Sequence, residues 1–405
     1  MSADTGLPSG SVCGRDPEEN GDGFSDISDS ELLTLQDESD RDTNDAACVS
    51  HKNVQSSEEV VQSSGNTDEH KDTTDNIQHD EKQQISENPE CSKLLQRKRK
   101  YMPTTPLQKY KMKYLCVTDL CSQMWCEQQM VYGYEIPELE QEKPPVMNAG
   151  ASIHLARELE LHDVVSVKTQ TKEDVWAIKF LNVLSMIPIL QSGGNVREFP
   201  VFRELEGVLL VGVIDELGYT SKGQLELREL KTRANPSLPG CAQSKQHNFQ
   251  VSVYKILFDG MVMGLLQPEI FVQHLHLRLD QKLGPQVADH SRKVGLTVST
   301  FGDILELICL NLRFSELPMI DCLKLEYCYQ EDSSLLGCEM LNFEEQNVMD
   351  RLHFLLSYWK GGRELQGVDI EEAWKCRTCS FVEICEWRNT KAKEAIDRNQ
   401  TKRGK

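Results

Sequence analysis

The sequence predicts a mixed α/β domain behind a long acidic tail, and three observations carry that prediction. Residues 208–214 form an apolar, β-branched run and residues 225–231 alternate, so the pair, joined through Gly218 to Gly223, reads as a β-hairpin. Segments on both sides of it repeat apolar residues at helical spacing, without any internal repeat. Charge is divided sharply: residues 1–90 hold 23 Asp/Glu against 5 Lys/Arg, which is −18 of the total −20 and leaves only −2 for residues 91–405.

Residues 1–94 are expected to be a disordered tail. They contain one aromatic, Phe24, and are rich in Ser, Asp, Glu, Asn and Gln, too little apolar surface to offset chain entropy. The patch around Phe24 sets serines among acids and suits docking or phosphorylation. With the acid confined to the tail, residues 95–405 form a near-neutral domain open to nucleic acid. No apolar run approaches the roughly 18 residues of a membrane span, so no span is expected, and the acidic opening stretch leads to the expectation of no secretory leader. Fourteen cysteines in a chain of this kind read as thiols and metal ligands rather than disulfides.

The basic cluster Arg97-Lys-Arg-Lys100, continued by Lys109, Lys111 and Lys113, suits nuclear import or a phosphate-contacting arm. From Val117 the pattern turns helical, with Thr118 or Asp119 as the expected N-cap. A proline loop follows, and a second helix is expected to open at Gly150-Ala-Ser-Ile-His154. Residues 179–190 are apolar enough for a buried helix or strand, and residues 248–258 have helical spacing that sets Gln250 and Tyr254 on one face. Residues 269–279 alternate and are expected to be a strand. Helices are expected over 300–313 and 342–361, the latter striped by Val348, Leu352, Leu355 and Leu356.

Two groups of residues carry chemistry. In the hairpin, Leu225, Leu227, Glu229 and Lys231 share one parity, so a carboxylate and an ammonium about 7 Å apart continue an apolar face. Asp215 ends the preceding strand. Two carboxylates able to hold a hard divalent cation, beside a lysine able to orient water or offset charge on phosphorus, form a phosphodiester-cleaving set. Near the C-terminal end, Cys376, Cys379 and Cys385 follow a C-x2-C-x5-C pattern, and close thiolates need a cation to be stable. A fourth ligand has to come from far upstream, where Cys116, Cys121 and Cys126 lie and Cys126 beside Trp125 fits best. Spacing leaves both tetrahedral zinc and an iron–sulfur cluster open.

Taken in order, Gly150-x3-His154, Gly212-Val-Ile-Asp215, Glu229-Leu-Lys231 and Gln250-x3-Tyr254, flanked by the cysteines, resemble the RecB-like branch of the PD-(D/E)xK nucleases. Within it the chain is most similar to the eukaryotic exonuclease V family, over roughly residues 95–390; Ile214 stands where the superfamily's nominal motif has proline.

The resemblance implies a restriction-endonuclease-like core, a mixed central sheet flanked by helices, with a cysteine-ligated cluster joining N- and C-terminal segments. It implies Mg2+ or Mn2+ on Asp215 and Glu229 with the Leu230 carbonyl, Lys231 beside the nucleophilic water, and His154 completing or tuning the site. It further implies that Gln250 and Tyr254 line the site and contact substrate, and that a [4Fe-4S] cluster sits on Cys126, Cys376, Cys379 and Cys385. The expected activity is a monomeric, single-strand-specific DNA exonuclease of DNA repair. It works in the nucleus, with the cytosol and mitochondrion as further places, and has a single-strand DNA-binding protein as a candidate partner. Rival readings are a non-catalytic DNA-binding or recruitment protein, a structure-specific endonuclease and a zinc-stapled regulatory module.

Overall fold

The computed structural model describes residues 47–52, 104–139, 145–161 and 163–403. Ala47–Lys52 (β1) lies within the stretch expected to be disordered, yet it pairs antiparallel with Asp163–Lys168, from Ala47 opposite Lys168 to Lys52 opposite Asp163. The Phe24 patch and the basic cluster at 97–100 lie outside the described residues.

A mixed six-stranded sheet forms the centre. Taking Leu115–Cys116 as β2 and Asp163–Lys168 as β3, Val196–Leu205 (β4) and Val208–Tyr219 (β5) form a hairpin in register from Val196 opposite Leu217 to Leu205 opposite Val208. Its two-residue turn, Glu206-Gly207, has φ of 53° and 79°, the left-handed pair that matches strand twist. The predicted second hairpin is present. Leu225–Arg233 (β6) pairs with β5 only from Glu216 opposite Arg228 to Tyr219 opposite Leu225. Beyond that the strands separate. β6 continues in parallel register with Cys322–Tyr329 (β7), which pairs antiparallel with Leu335–Leu341 (β8), while β2 bridges β5 at Leu210 and Val211. The hairpin therefore opens into a fork, with Asp215 at its crotch.

Parallel pairing of β6 with β7 requires a long crossover, and the helices supply it. Cys241–Val262 lies against β4 and β5, and Lys172–Gln191 packs on β4 and on Phe301–Phe314. Lys172–Gln191 resolves the ambiguity over 179–190 in favour of a helix, started by a capping box between Thr171 and Asp174. The same device, Thr300 with Asp303, starts the expected helix Phe301–Phe314. Trp176, Phe180, Phe202 and Phe271 meet between these elements with ring centroids 4.9–6.0 Å apart, a contact range typical of buried aromatic pairs.

Residues 269–279 are not a strand. Pro268–Leu275 is a helix with proline in its first turn, and His276, at φ 55°, ends it in the left-handed region. Phe271 and Leu275, spaced i and i+4, are its buried residues, so helical spacing wins over the short alternation of Leu275, Leu277 and Leu279. Two other boundaries move. Val117–Trp125 is capped by Cys116, whose N–H donates to Asp119 at 2.8 Å, so neither Thr118 nor Asp119 is the cap. The helix bearing His154 spans Pro145–Leu159 and begins before Gly150. The helix expected over 342–361 spans Glu345–Trp359 and buries Leu352, Leu355 and Leu356. Among the described residues, no helix is long and apolar enough to cross a membrane.

Candidate active site and cysteine cavity

At the fork, strand separation frees backbone groups that a ladder would otherwise pair, and a side chain takes one of them. The Leu230 N–H donates to Asp215 Oδ2 at 2.7 Å, fixing that carboxylate between the diverging strands. His154, on Pro145–Leu159, brings Nδ1 to 3.7 Å from the same oxygen. Glu198 faces Asp215 across the β4–β5 ladder, between the pairs Arg197–Glu216 and Phe199–Ile214. One donor atom from each of His154, Glu198 and Asp215 lies within 4.8 Å of the others.

These three open on a cleft of about 300 Å³ that is also lined by Arg157, Arg197, Arg228 and Leu230. Its guanidinium groups are held by carboxylates: Arg197 Nε lies 3.0 Å from Glu216, Arg228 Nε 2.6 Å from Glu226, and Arg157 3.3 Å from Glu326. Burial works against the Arg228 charge, but Glu226 and Glu216 outweigh it and raise its pKa. Burial alone would raise Glu326, but Lys324 and Arg157 hold that carboxyl below its ordinary range. The cleft lining thus sets four carboxylates, Glu198, Asp215, Glu216 and Glu326, against three guanidinium groups that are already paired, a balance that suits a bound cation beside the nitrogen and oxygen donor set.

Glu229 and Lys231 form a second, deeper group. Their side chains are only 4% and 3% exposed and stand 3.2 Å apart. Lys231 Nζ donates to Gln250 Oε1 at 2.7 Å, and Gln250 Nε2 donates to the Tyr254 hydroxyl at 3.0 Å. The Tyr254 ring lies against Gly212, where a Cβ would stand 2.6 Å from it, so the glycine of Gly212-Val-Ile-Asp215 is required by close approach.

The structure thus brings His154 to Asp215, and Gln250 and Tyr254 to Lys231. Glu229 is not in the ligand-sized group around Asp215 among the described residues. Glu198 escaped the sequence reading, although it sits on the parity of Val196 and Phe202 and so extends an apolar face with a carboxylate, the signal that singled out Glu229.

The four expected cysteines line one cavity of about 390 Å³. Cys126 stands at a helix break, closing Val117–Trp125 and capping Glu127–Glu135, where its sulfur accepts from the Gln129 N–H at 3.5 Å. Cys376 lies in the 3-10 segment Ile370–Arg377, and Cys385 immediately precedes Glu386–Arg403. Trp125 packs edge-to-face on Trp374 at 5.8 Å, and Tyr132 lies 5.6 Å from Phe381. Burial pushes the Cys126 thiol up to about 11, with Cys379 and Cys376 adding to the rise. Burial, then the neighbouring cysteines, raises Cys376 and Cys379 as well. Cys126, Cys376 and Cys379 are thus disfavoured as thiolates, and four sulfurs lining one cavity suit a cation that would reverse this.

The comparisons with known proteins give the family of this chain. The family model of exonuclease V, described as a 5′ deoxyribonuclease, matches residues 103–229 and 291–388. A curated exonuclease V of Danio rerio is 40% identical over 372 residues, 91% of this chain and 93% of that protein. The chain belongs to the exonuclease V family and is a DNA exonuclease. An uncharacterised protein, ORF95 of Ostreid herpesvirus 1, is 28% identical over 123 residues, 28% of this chain and 40% of that protein. A solved structure titled "Crystal structure of SSO0001" aligns at 14% identity and a TM-score of 0.35, covering 70% of this chain and 93% of that one.

Proposed function

We propose that this exonuclease is a metal-dependent, single-strand-specific enzyme of DNA repair with a PD-(D/E)xK core. The observation that carries the reading is Asp215, pinned at the strand fork beside His154 in a cleft walled by arginines. Oxygen and imidazole donors fit Mg2+ or Mn2+. Asp215 would hold the ion with His154 beside it, and Glu229, as the family resemblance implies, would reach it from its ion pair with Lys231. A divalent ion there supplies Lewis-acid activation of water and offsets charge on the phosphate. Lys231 contributes a fixed ammonium, oriented by Glu229 and Gln250, for negative charge developing in the transition state. Tyr254 keeps Gln250 in place, and Arg157, Arg197 and Arg228 hold the DNA backbone.

The four cysteines fit a [4Fe-4S] cluster, and its role in this reading is structural, tying the segment at Cys126 to the C-terminal arm. The basic run at Arg97 to Lys100 supports nuclear localisation. A monomer that works with a single-strand DNA-binding protein is the simplest assembly for an enzyme that follows opened DNA.

The test compares three labelled substrates in Mg2+: a linear single strand, a closed single-stranded circle and a blunt duplex. The reading expects degradation of the linear strand alone. Degradation of the circle, or equal rates on the duplex, contradicts it. Elemental analysis of anaerobically purified protein separates the two cluster readings: about four irons per chain supports the iron–sulfur cluster, and zinc in place of iron overturns it.

A further inference from the structure

We propose that Glu198 is a further protein ligand of the divalent ion, on the side of Asp215 and His154; this rests on the metal site proposed above. Three features of this residue agree. It stands opposite Asp215 on the neighbouring strand, so the β4–β5 ladder itself sets the two carboxylates face to face. Its backbone takes φ 53°, a conformation that non-glycine residues rarely hold within a strand. That turn leaves the ladder unbridged at Glu198 and Asp215 while the pairs on both sides remain. It is also 9% exposed, in the wall of the cleft that holds His154 and Asp215.

The distances suit one ion. Two donors bound to the same Mg2+ at about 2.1 Å each stand at most about 4.2 Å apart. The donor atoms of His154, Glu198 and Asp215 already lie within 4.8 Å of one another, near the roughly 3.0 Å of cis and 4.2 Å of trans positions on such an ion, so side-chain shifts of about 1–2 Å complete the set. Two carboxylates that converge in a largely buried wall repel one another, and a divalent cation placed between them turns that repulsion into attraction. Glu198 therefore adds charge where it strengthens metal binding and weakens the metal-free protein.

The experiment titrates Mn2+ into the full-length wild type, Glu198→Gln, Glu198→Asp and Asp215→Asn. Calorimetry reports affinity, and thermal melting with and without Mn2+ reports stability. Glu198→Gln is expected to weaken Mn2+ at least tenfold, to melt at or above the wild-type temperature without metal, and to lose most of the Mn2+-induced rise. A purely structural Glu198 gives the opposite pattern, a lower metal-free melting temperature with wild-type affinity, and overturns the proposal. Should Glu198→Gln not fold, Glu198→Asp decides: it keeps the charge on a shorter arm and tolerates the backbone, so weaker Mn2+ binding supports the proposal and wild-type affinity overturns it. Asp215→Asn separates the two layers. Weak Mn2+ binding there, with wild-type binding in Glu198→Gln, removes Glu198 alone, whereas wild-type binding in both removes the metal site itself.

Discussion

Asp215 is held chiefly by a backbone N–H, with His154 Nδ1 3.7 Å away, so replacing it by an isosteric acceptor costs little structure. Asp215→Asn keeps an acceptor for the Leu230 N–H and is expected to melt within a few degrees of wild type. It is also expected to bind single-stranded DNA and to lose cleavage by a factor of about 10² or more. A melting temperature far below wild type would make the residue structural. Gly212 behaves differently. A methyl group at Gly212→Ala would meet the Tyr254 ring at 2.6 Å and Val117 Cγ2 at 3.1 Å, so overpacking is expected to cost about 1–3 kcal/mol by urea denaturation. Because Tyr254 holds Gln250 and Gln250 holds Lys231, the folded fraction should also show a lower turnover number; unchanged turnover would uncouple that chain of hydrogen bonds from catalysis. At this scale Asp215, Glu229 and Lys231 were legible because charge interrupts apolar strands. Glu198 gave the same signal, but its importance depends on cross-strand register, which a single strand does not contain.

At the level of elements, some periodic patterns were read correctly and others were missed or misread. The helix Phe301–Phe314 and the hairpin of β5 and β6 follow from theirs. Pro268–Leu275 was taken for a strand because a few alternating leucines outweighed Pro268, a helix-start signal, and the Phe271–Leu275 pair. β4, β7 and β8 were missed; β8 alternates between half-buried and exposed positions, which blurs the apolar pattern. One element contact invites a direct test. Glu127, 6% exposed at the start of Glu127–Glu135, accepts from Gln123 at 3.0 Å, from Arg363 at 2.8 Å and from the Gln366 N–H at 2.8 Å. Glu127→Ala leaves a mostly buried guanidinium without this carboxylate, and a loss of about 3–5 kcal/mol in chemical denaturation is expected. A change under 1 kcal/mol would show that the C-terminal arm docks without it.

Over the whole molecule, the cysteine cavity joins parts of the chain that are far apart in sequence: beside it, Lys375 donates to the Trp125 carbonyl at 3.2 Å across 250 residues. A cluster closing so long a loop should contribute strongly to stability, whereas the ion at the fork should not. Iron removal, or Cys376→Ala, is therefore expected to lower the melting temperature by about 10 °C or more and to weaken DNA binding with it. EDTA at concentrations that leave the cluster intact should abolish cleavage and lower the melting temperature by no more than the rise that the divalent ion induces, well short of the effect of iron removal. Equal thermal effects of the two treatments would contradict this division of labour. The pattern C-x2-C-x5-C announced the cavity, and its fourth member was chosen from three upstream cysteines by its tryptophan neighbour and by family resemblance; Trp125 does pack on Trp374.

The central claim, hydrolysis of DNA at Asp215 with a divalent ion, is tested most directly by digesting an end-labelled linear single strand with wild type and Asp215→Asn, each with Mg2+ and with EDTA. The account predicts stepwise shortening in one lane only, wild type with Mg2+. Digestion by Asp215→Asn at the wild-type rate, or by wild type in EDTA, would contradict it.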